Sequence, residues 1–265
     1  MEIAGYIASL VIGLSLGLIG GGGSILTVPV LVYLFGVDPV AATAYSLFIV
    51  GTTSLVGVWP KYLQKEVNFK TALIFGLPSI VAVYATRAFI IPVIPDQLFT
   101  AGNFVLTKPL LLMLIFAVLM VAASFSMIRT PRKRPVADES VKQKFNYPVI
   151  LLEGTLVGVL TGLVGAGGGF LIIPALVILS KLPMKQAVGT SLLIIAAKSL
   201  IGFTGDVGKI EMDWPLLLSV TALAVVGIFI GNRLSKRIAA DALKKGFGWF
   251  VLVMGIYIIT KELFF

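Results

Sequence analysis

The 265-residue chain has no cysteine and no histidine. Disulfides, thiol redox chemistry, Cys/His ligation of zinc or haem, and histidine proton relays are all excluded by that absence. Charge is scarce too: Asp, Glu, Lys and Arg make up 12% of the residues, about half of what soluble domains carry. In their place stand 58% hydrophobic residues and a mean hydropathy of +1.05. Apolar stretches long enough to cross a hydrocarbon core of about 30 Å recur along the whole chain and leave little sequence for a soluble domain. The composition reads as one all-α, polytopic integral membrane domain with the bilayer as its solvent.

The first apolar stretch, 3–19, lacks the basic flank and small-residue cleavage site of a signal peptide, so it is expected to stay in the mature protein. The net charge of +9 sits in short loops between apolar stretches. That is the pattern of cytoplasmic anchoring rather than of nucleic-acid binding. The reading calls for no nucleic-acid partner, no metal and no cofactor, and it allows a homo-oligomer.

Self-comparison shows a repeat. Gly17-Leu-Ile-Gly-Gly-Gly-Gly-Ser-Ile-Leu-Thr-Val-Pro29 matches Gly162-Leu-Val-Gly-Ala-Gly-Gly-Gly-Phe-Leu-Ile-Ile-Pro174 without a gap, a shift of 145 from Gly17 to Gly162. The register continues through Ala42 on Ala187, Ser46 on Ser191, Ser54 on Ser199, Gly57 on Gly202, and Glu66-Val-Asn-Phe69 on Glu211-Met-Asp-Trp214. Apolar sequence gives chance Leu and Val matches, but a shared Gly/Pro pattern in unbroken register indicates duplication. The expected division is a first transmembrane repeat over 1–128, a cytoplasmic linker over 129–146, and a second repeat over 147–265.

Five apolar segments are read in each repeat, at 3–19, 24–36, 40–59, 70–92 and 108–128, then 148–164, 169–181, 186–204, 214–232 and 247–264. The second of each set is too short to span alone. The linker with Arg129, Arg132, Lys133, Arg134, Lys142 and Lys144, and the loop with Arg233, Lys236, Arg237, Lys244 and Lys245, both read as cytoplasmic. Between two cytoplasmic loops the number of crossings must be even, which requires the chain to reverse at the glycines instead of running through 151–182 as one helix. The scheme puts Lys61, Lys65, Lys70, Lys181 and Lys185 inside and Asp38, Asp96, Asp206, Glu211 and Asp213 outside. An odd number of crossings per repeat makes the repeats inverted, with both termini outside.

Each glycine costs about 1 kcal/mol of helix relative to alanine, so the runs 20–23 and 165–169 need a reason. With Pro29 and Pro174 expected in first turns, the short helices should begin near Ile25 to Pro29 and Phe170 to Pro174. Irregular backbone inside a membrane is tolerated only where protein buries it or a cavity solvates it. Paired discontinuous helices in inverted repeats are where secondary transporters hold substrate, and their free N–H groups favour an anion. The competing reading is that the glycines serve close helix packing alone.

The expected substrate-binding set is therefore Gly20, Gly22, Gly23 and Ser24 in the first repeat and Gly165, Gly167, Gly168 and Gly169 in the second. Lys198 lies mid-segment, where a lysine costs about 2.5–3.5 kcal/mol to insert, and its equivalent is Thr53; the competing reading has its stem extend to the interface. Arg87 is a second cation, nearer the outer end of its segment, where it could instead extend to the interface. Ser46, Thr190 and Ser191, with Thr43, could donate hydroxyls, although such residues often bond their own backbone. Glu153 is the one acid well inside an apolar segment, either a proton-coupling group or an interfacial residue near the cytoplasmic end. Asn68-Phe69 and Asp213-Trp214 read as N-caps followed by interfacial aromatics.

The duplicated motif, together with Gly189-Thr-Ser191 and Met212-Asp-Trp214, resembles the sulfite exporter TauE/SafE family over nearly the whole chain. The first repeat departs from it with Ala44-Tyr45 where the second has Gly189-Thr190. The resemblance implies a multi-pass transporter of a prokaryotic cytoplasmic (inner) membrane, not an enzyme, moving sulfite or an organosulfonate. A channel, a carrier of an unrelated small anion and a non-transporting assembly partner are the competing readings. A membrane-embedded enzyme would need a His, Cys or paired-carboxylate constellation, which the sequence does not offer.

Overall fold

A computed structural model of the chain describes residues 2–101, 104–129, 147–178, 182–235 and 240–264. Most of the linker, and Lys181, Lys236 and Arg237, lie outside the described residues. Helix α1 (Glu2–Ile19) leads through a 3-10 turn (Gly22–Leu26) into α2 (Thr27–Tyr33) and then α3 (Pro39–Leu63). Helix α4 (Phe69–Ala85) continues through a π-helical turn (Thr86–Ile90) into α5 (Ile91–Val93). A short antiparallel hairpin, β1 (Gln97–Ala101) and β2 (Phe104–Thr107), precedes α6 (Lys108–Ile128). The second half comprises α7 (Tyr147–Val164), α8 (Gly169–Ile178), α9 (Met184–Thr204), α10 (Trp214–Leu234) and α11 (Ala240–Phe264).

Six helices among the described residues are long and apolar enough to span a bilayer, and three shorter apolar ones accompany them. The protein is a polytopic helical membrane protein, and the hairpin is a small addition that the sequence reading did not anticipate. Helix starts follow local chemistry. Asp38, Asn68, Thr107 and Asp213 each accept a hydrogen bond from an N–H of the following turn, satisfying a donor that helix geometry leaves free. The predicted caps Asn68 and Asp213 thus do what their sequence context requires.

Helices α3 and α9 form the centre, each 67% buried over its apolar window, whereas α11 is 22% buried and faces outward. Across α3 and α9, Leu47 meets Gly202, Gly51 meets Leu200, and Gly57 meets Leu192, so the two helices run antiparallel. Those pairs centre on Thr53 and Lys198. Helix α1 runs parallel to α10, with Gly13 on Ala224 and Gly17 on Ile228, and α3 also runs parallel to α10, with Tyr45 near Asp213 and Gly57 on Ile228. Since α1 and α3 point the same way, the chain between them must come back, and 22–33 makes that return. The same holds for α7 and α9, both parallel to α4, with α8 returning between them.

Contacts recur in exchanged form at the shift of 145. Gly57 on Ile228 reappears as Gly202 on Val83, and Gly13 on Ala224 as Gly158 on Ser79. Tyr45 hydroxyl accepts from the Asp213 N–H at 2.6 Å, and Thr190 hydroxyl accepts from the Asn68 N–H at 2.9 Å. Tyr45 and Thr190 are equivalents, as are Asp213 and Asn68. The departure at Ala44-Tyr45 therefore keeps its structural role, with a phenol doing in one half what a threonine does in the other.

Candidate functional site

Helix α1 stops at Ile19 because Gly20 and Gly21 turn to φ +72° and +136°. Helix α7 stops at Val164, and its Gly165 also has φ +72°. An L-residue reaches that left-handed region only at a cost of about 1–2 kcal/mol. A side chain at Gly165 would also collide with the Thr43 backbone, and one at Gly20 with Val188, the equivalent of Thr43. Glycine is thus required at both positions by conformation and by space.

The first short helix begins within the expected window with Pro29 in its first turn, and the second begins one residue earlier than expected. In the first half, the Ser24 hydroxyl donates to Gly21 carbonyl at 2.7 Å and closes the 3-10 turn, so α2 proper starts at Thr27. In the second, α8 starts at Gly169, which leaves Pro174 inside the helix rather than in its first turn. Gly168 carbonyl accepts from both Leu171 and Ile172 N–H at 3.0 Å. A carbonyl that shares its bonds between two donors is typical of a helix end.

The structure brings the two glycine segments together. Gly169 lies so close to Gly21 that a side chain on either would strike the other's backbone, and Gly167 abuts Ser24, Val50 and Ile195. Gly22 faces Ile19 and Met127, while Gly23 packs on Ser15 and Leu16 of α1. Ser191 hydroxyl donates to Gly20 carbonyl at 2.7 Å and ties α9 to the first segment.

Lys198 completes the arrangement. Its side chain is 0% exposed, its Nζ donates to Thr161 hydroxyl at 3.1 Å, and it lies 2.8 Å from where a Gly168 side chain would begin. Thr161 in turn donates to Gly158 carbonyl at 3.2 Å. No carboxylate stands within 4.0 Å of Nζ among the described residues. Burying an ammonium without a counter-charge costs several kcal/mol, so this position needs an anionic partner or a neutral amine. On α3 and α9, the Ser46, Thr53, Ser54 and Ser199 hydroxyls are buried with no hydrogen-bond partner among the described residues. Buried polar atoms are seldom left so in folded proteins, and these four lie on the two central helices.

Two expected contacts are placed elsewhere. Thr190 hydroxyl is engaged at the start of α4, as described above. Arg87, fully buried in the π-helical turn, lies 3.5 Å from Asp206 Oδ2, beside Gly205. Burial pushes the Asp206 carboxyl up, against the pull of Arg87 and Lys209. Gly205 is seven residues beyond Lys198 on the same helix path, about 10 Å at the helical rise. A groove of about 800 Å³ between α1, α2 and α11, lined by Ile7, Pro29, Tyr33, Met254 and Lys261 among others, holds none of the candidate residues.

Residues 6–258 match the family described as sulfite exporter TauE/SafE. The chain belongs to that family. It is 28% identical to a probable membrane transporter protein of Xylella fastidiosa (strain 9a5c), over 95% of this chain and 92% of that one. It is 26% identical to the probable membrane transporter protein YunE of Bacillus subtilis, over 98% and 99%. A probable membrane transporter protein of Methanocaldococcus jannaschii is 25% identical over 96% and 93%. No solved structure matches the chain. The TauE/SafE family and these relatives are described as membrane transporters rather than enzymes. Within this family member, the pairing of Tyr45 and Thr190 with the starts of α10 and α4 is what sequence reasoning missed. The only sequence signal for it was that both sit at the same repeat position.

Proposed function

We propose that this transporter carries a small sulfur oxyanion, sulfite or an organosulfonate, by alternating access. The anion binds at the start of α8 beside Gly168, with Lys198 as counter-charge and the first glycine segment packed against it. The observation that carries this reading is the placement of the Lys198 ammonium against Gly168 with no acidic partner among the described residues. A helix start supplies N–H groups and the positive end of its dipole, and a fully buried cation beside it strengthens the attraction for an anion.

The repeats act as inverted halves, 1–128 and 147–265, joined by a cytoplasmic linker, with glycine-broken half-helices meeting near the midplane and both termini outside. The antiparallel crossing of the equivalent helices α3 and α9, and the reversals at 22–33 and at α8, support this arrangement. Every residue of the proposed site is buried, which supports a mechanism in which the halves move to expose it to one side at a time. Sulfite flux into liposomes holding the purified protein tests the reading. Saturable flux with counter-transport is expected. Flux that rises linearly with concentration and shows no counter-transport would favour a channel, and no flux would refute the substrate class.

A further inference from the structure

Lys198 raises a question that anion binding by itself does not answer, namely what its charge is when no anion is beside it. Its only hydrogen-bond partner among the described residues is the Thr161 hydroxyl, whose single proton is already given to Gly158 carbonyl. Thr161 can therefore offer a lone pair and nothing more. Neutral oxygen of this kind stabilises an ammonium weakly, and a charged group at 0% exposure with that partner alone is strongly disfavoured.

The charged groups on surrounding elements are committed or remote. Arg87 of the π-helical turn pairs with Asp206, so together they add no net charge. Lys209 of the same loop donates to Ala88 carbonyl. Lys61 at the far end of α3 pairs with Glu66 at 2.9 Å. Lys70 and Lys185 lie in the first turns of α4 and α9. Glu153 lies eight residues before Thr161 on α7, about 12 Å along the helix. Helix α8 has no titratable residue.

We propose that Lys198 is the proton carrier of this transporter, and that each monoanion crosses with one proton. The proposal rests on the anion-site reading above. On the loading side the Nζ lone pair takes a proton from water as the anion enters beside Gly168, giving an ammonium–anion pair with no net charge. On the release side the anion leaves, the N–H bond breaks and the proton returns to water, so that the neutral amine resets the cycle. The chemistry makes transport electroneutral for a monoanion, and the first repeat, with Thr53 at the equivalent position, contributes no second proton.

The experiment compares the full-length protein with Lys198→Arg and Lys198→Thr, using sulfite as the probe in identical buffers so that sulfite's own titration cancels. In proteoliposomes with the membrane potential clamped, the proton-to-sulfite ratio should fall by about one from wild type to Lys198→Arg. In detergent, the apparent Kd of the wild type for sulfite, taken relative to Lys198→Arg, should rise about tenfold per pH unit once the amine is deprotonated. Relative to Lys198→Thr, if that variant binds, the same slope is expected. An equal proton ratio in wild type and Lys198→Arg, or equal pH slopes, would overturn the proton role while leaving the anion site standing. Failure of the wild type to bind or move sulfite would overturn both.

Discussion

Ser191 reaches from α9 to the Gly20 carbonyl at 2.7 Å, whereas Ser46, its equivalent at the shift of 145, has no hydrogen-bond partner among the described residues. The symmetric scaffold is therefore used asymmetrically at this position. Ser191 holds backbone in place, whereas the buried Ser46 hydroxyl bonds to nothing among the described residues. Ser191→Ala is expected to lower stability by about 1 kcal/mol, the single hydroxyl proton being shared between the Gly20 and Val188 carbonyls. Ser46→Ala should leave thermal stability unchanged or slightly raised while slowing sulfite flux. Unfolding midpoints and liposome flux on the same two preparations check both statements.

Gly165 combines positive φ with contact against the Thr43 backbone, while Gly36 has φ +70° and nothing within 4 Å of its missing side chain. The pair separates conformational strain from collision. Gly36→Ala should cost about 1–2 kcal/mol from backbone strain. Gly165→Ala should cost about 3 kcal/mol or more, because overpacking adds to that strain. Equal losses in thermal unfolding would mean the glycine segment is loosely packed.

Arg87 and Asp206 are both buried, and removing one leaves the other unpaired. Arg87→Met or Asp206→Leu is each expected to cost about 3–5 kcal/mol, and the double variant much less than their sum. A double-mutant cycle of unfolding free energies reads the coupling. An additive result would mean the pair contributes nothing as a pair.

The absence of cysteine makes topology directly measurable. Single cysteines at Gln64, after α3, and at Lys209, after α9, both exposed, should be labelled from opposite sides of the membrane. Impermeant maleimide added to right-side-out cells should modify Lys209→Cys and spare Gln64→Cys. Labelling of both, or of Gln64→Cys alone, would invert or break the proposed orientation.

Much of the fold is legible in the sequence because a membrane leaves few alternatives: apolar length marks spans, and short polar capping residues such as Asn68 and Asp213 mark where helices begin. A reversal at the glycines is what the loop charges call for if both basic loops are cytoplasmic, since they constrain the parity of what lies between them. The 3-10 turn ahead of α2 and the proline inside α8 are not legible. The first depends on a side-chain bond from Ser24, the second on a helix that starts at Gly169. The environment of Arg87 was equally hidden, because its partner Asp206 is far away in sequence and its loop reads as ordinary exposed polar chain. Lys198 is conspicuous in the sequence because a mid-segment lysine is costly. That it lies where the α3 and α9 pairs centre depends on the antiparallel packing of those helices, which periodicity cannot specify.

If the anion binds against the Lys198 ammonium beside Gly168, sulfite uptake by liposomes should be saturable for the wild type and lost in Lys198→Met, a variant of similar volume that keeps the glycine segment intact and still elutes as a folded membrane protein. Wild-type uptake rates in Lys198→Met would show that the anion binds elsewhere.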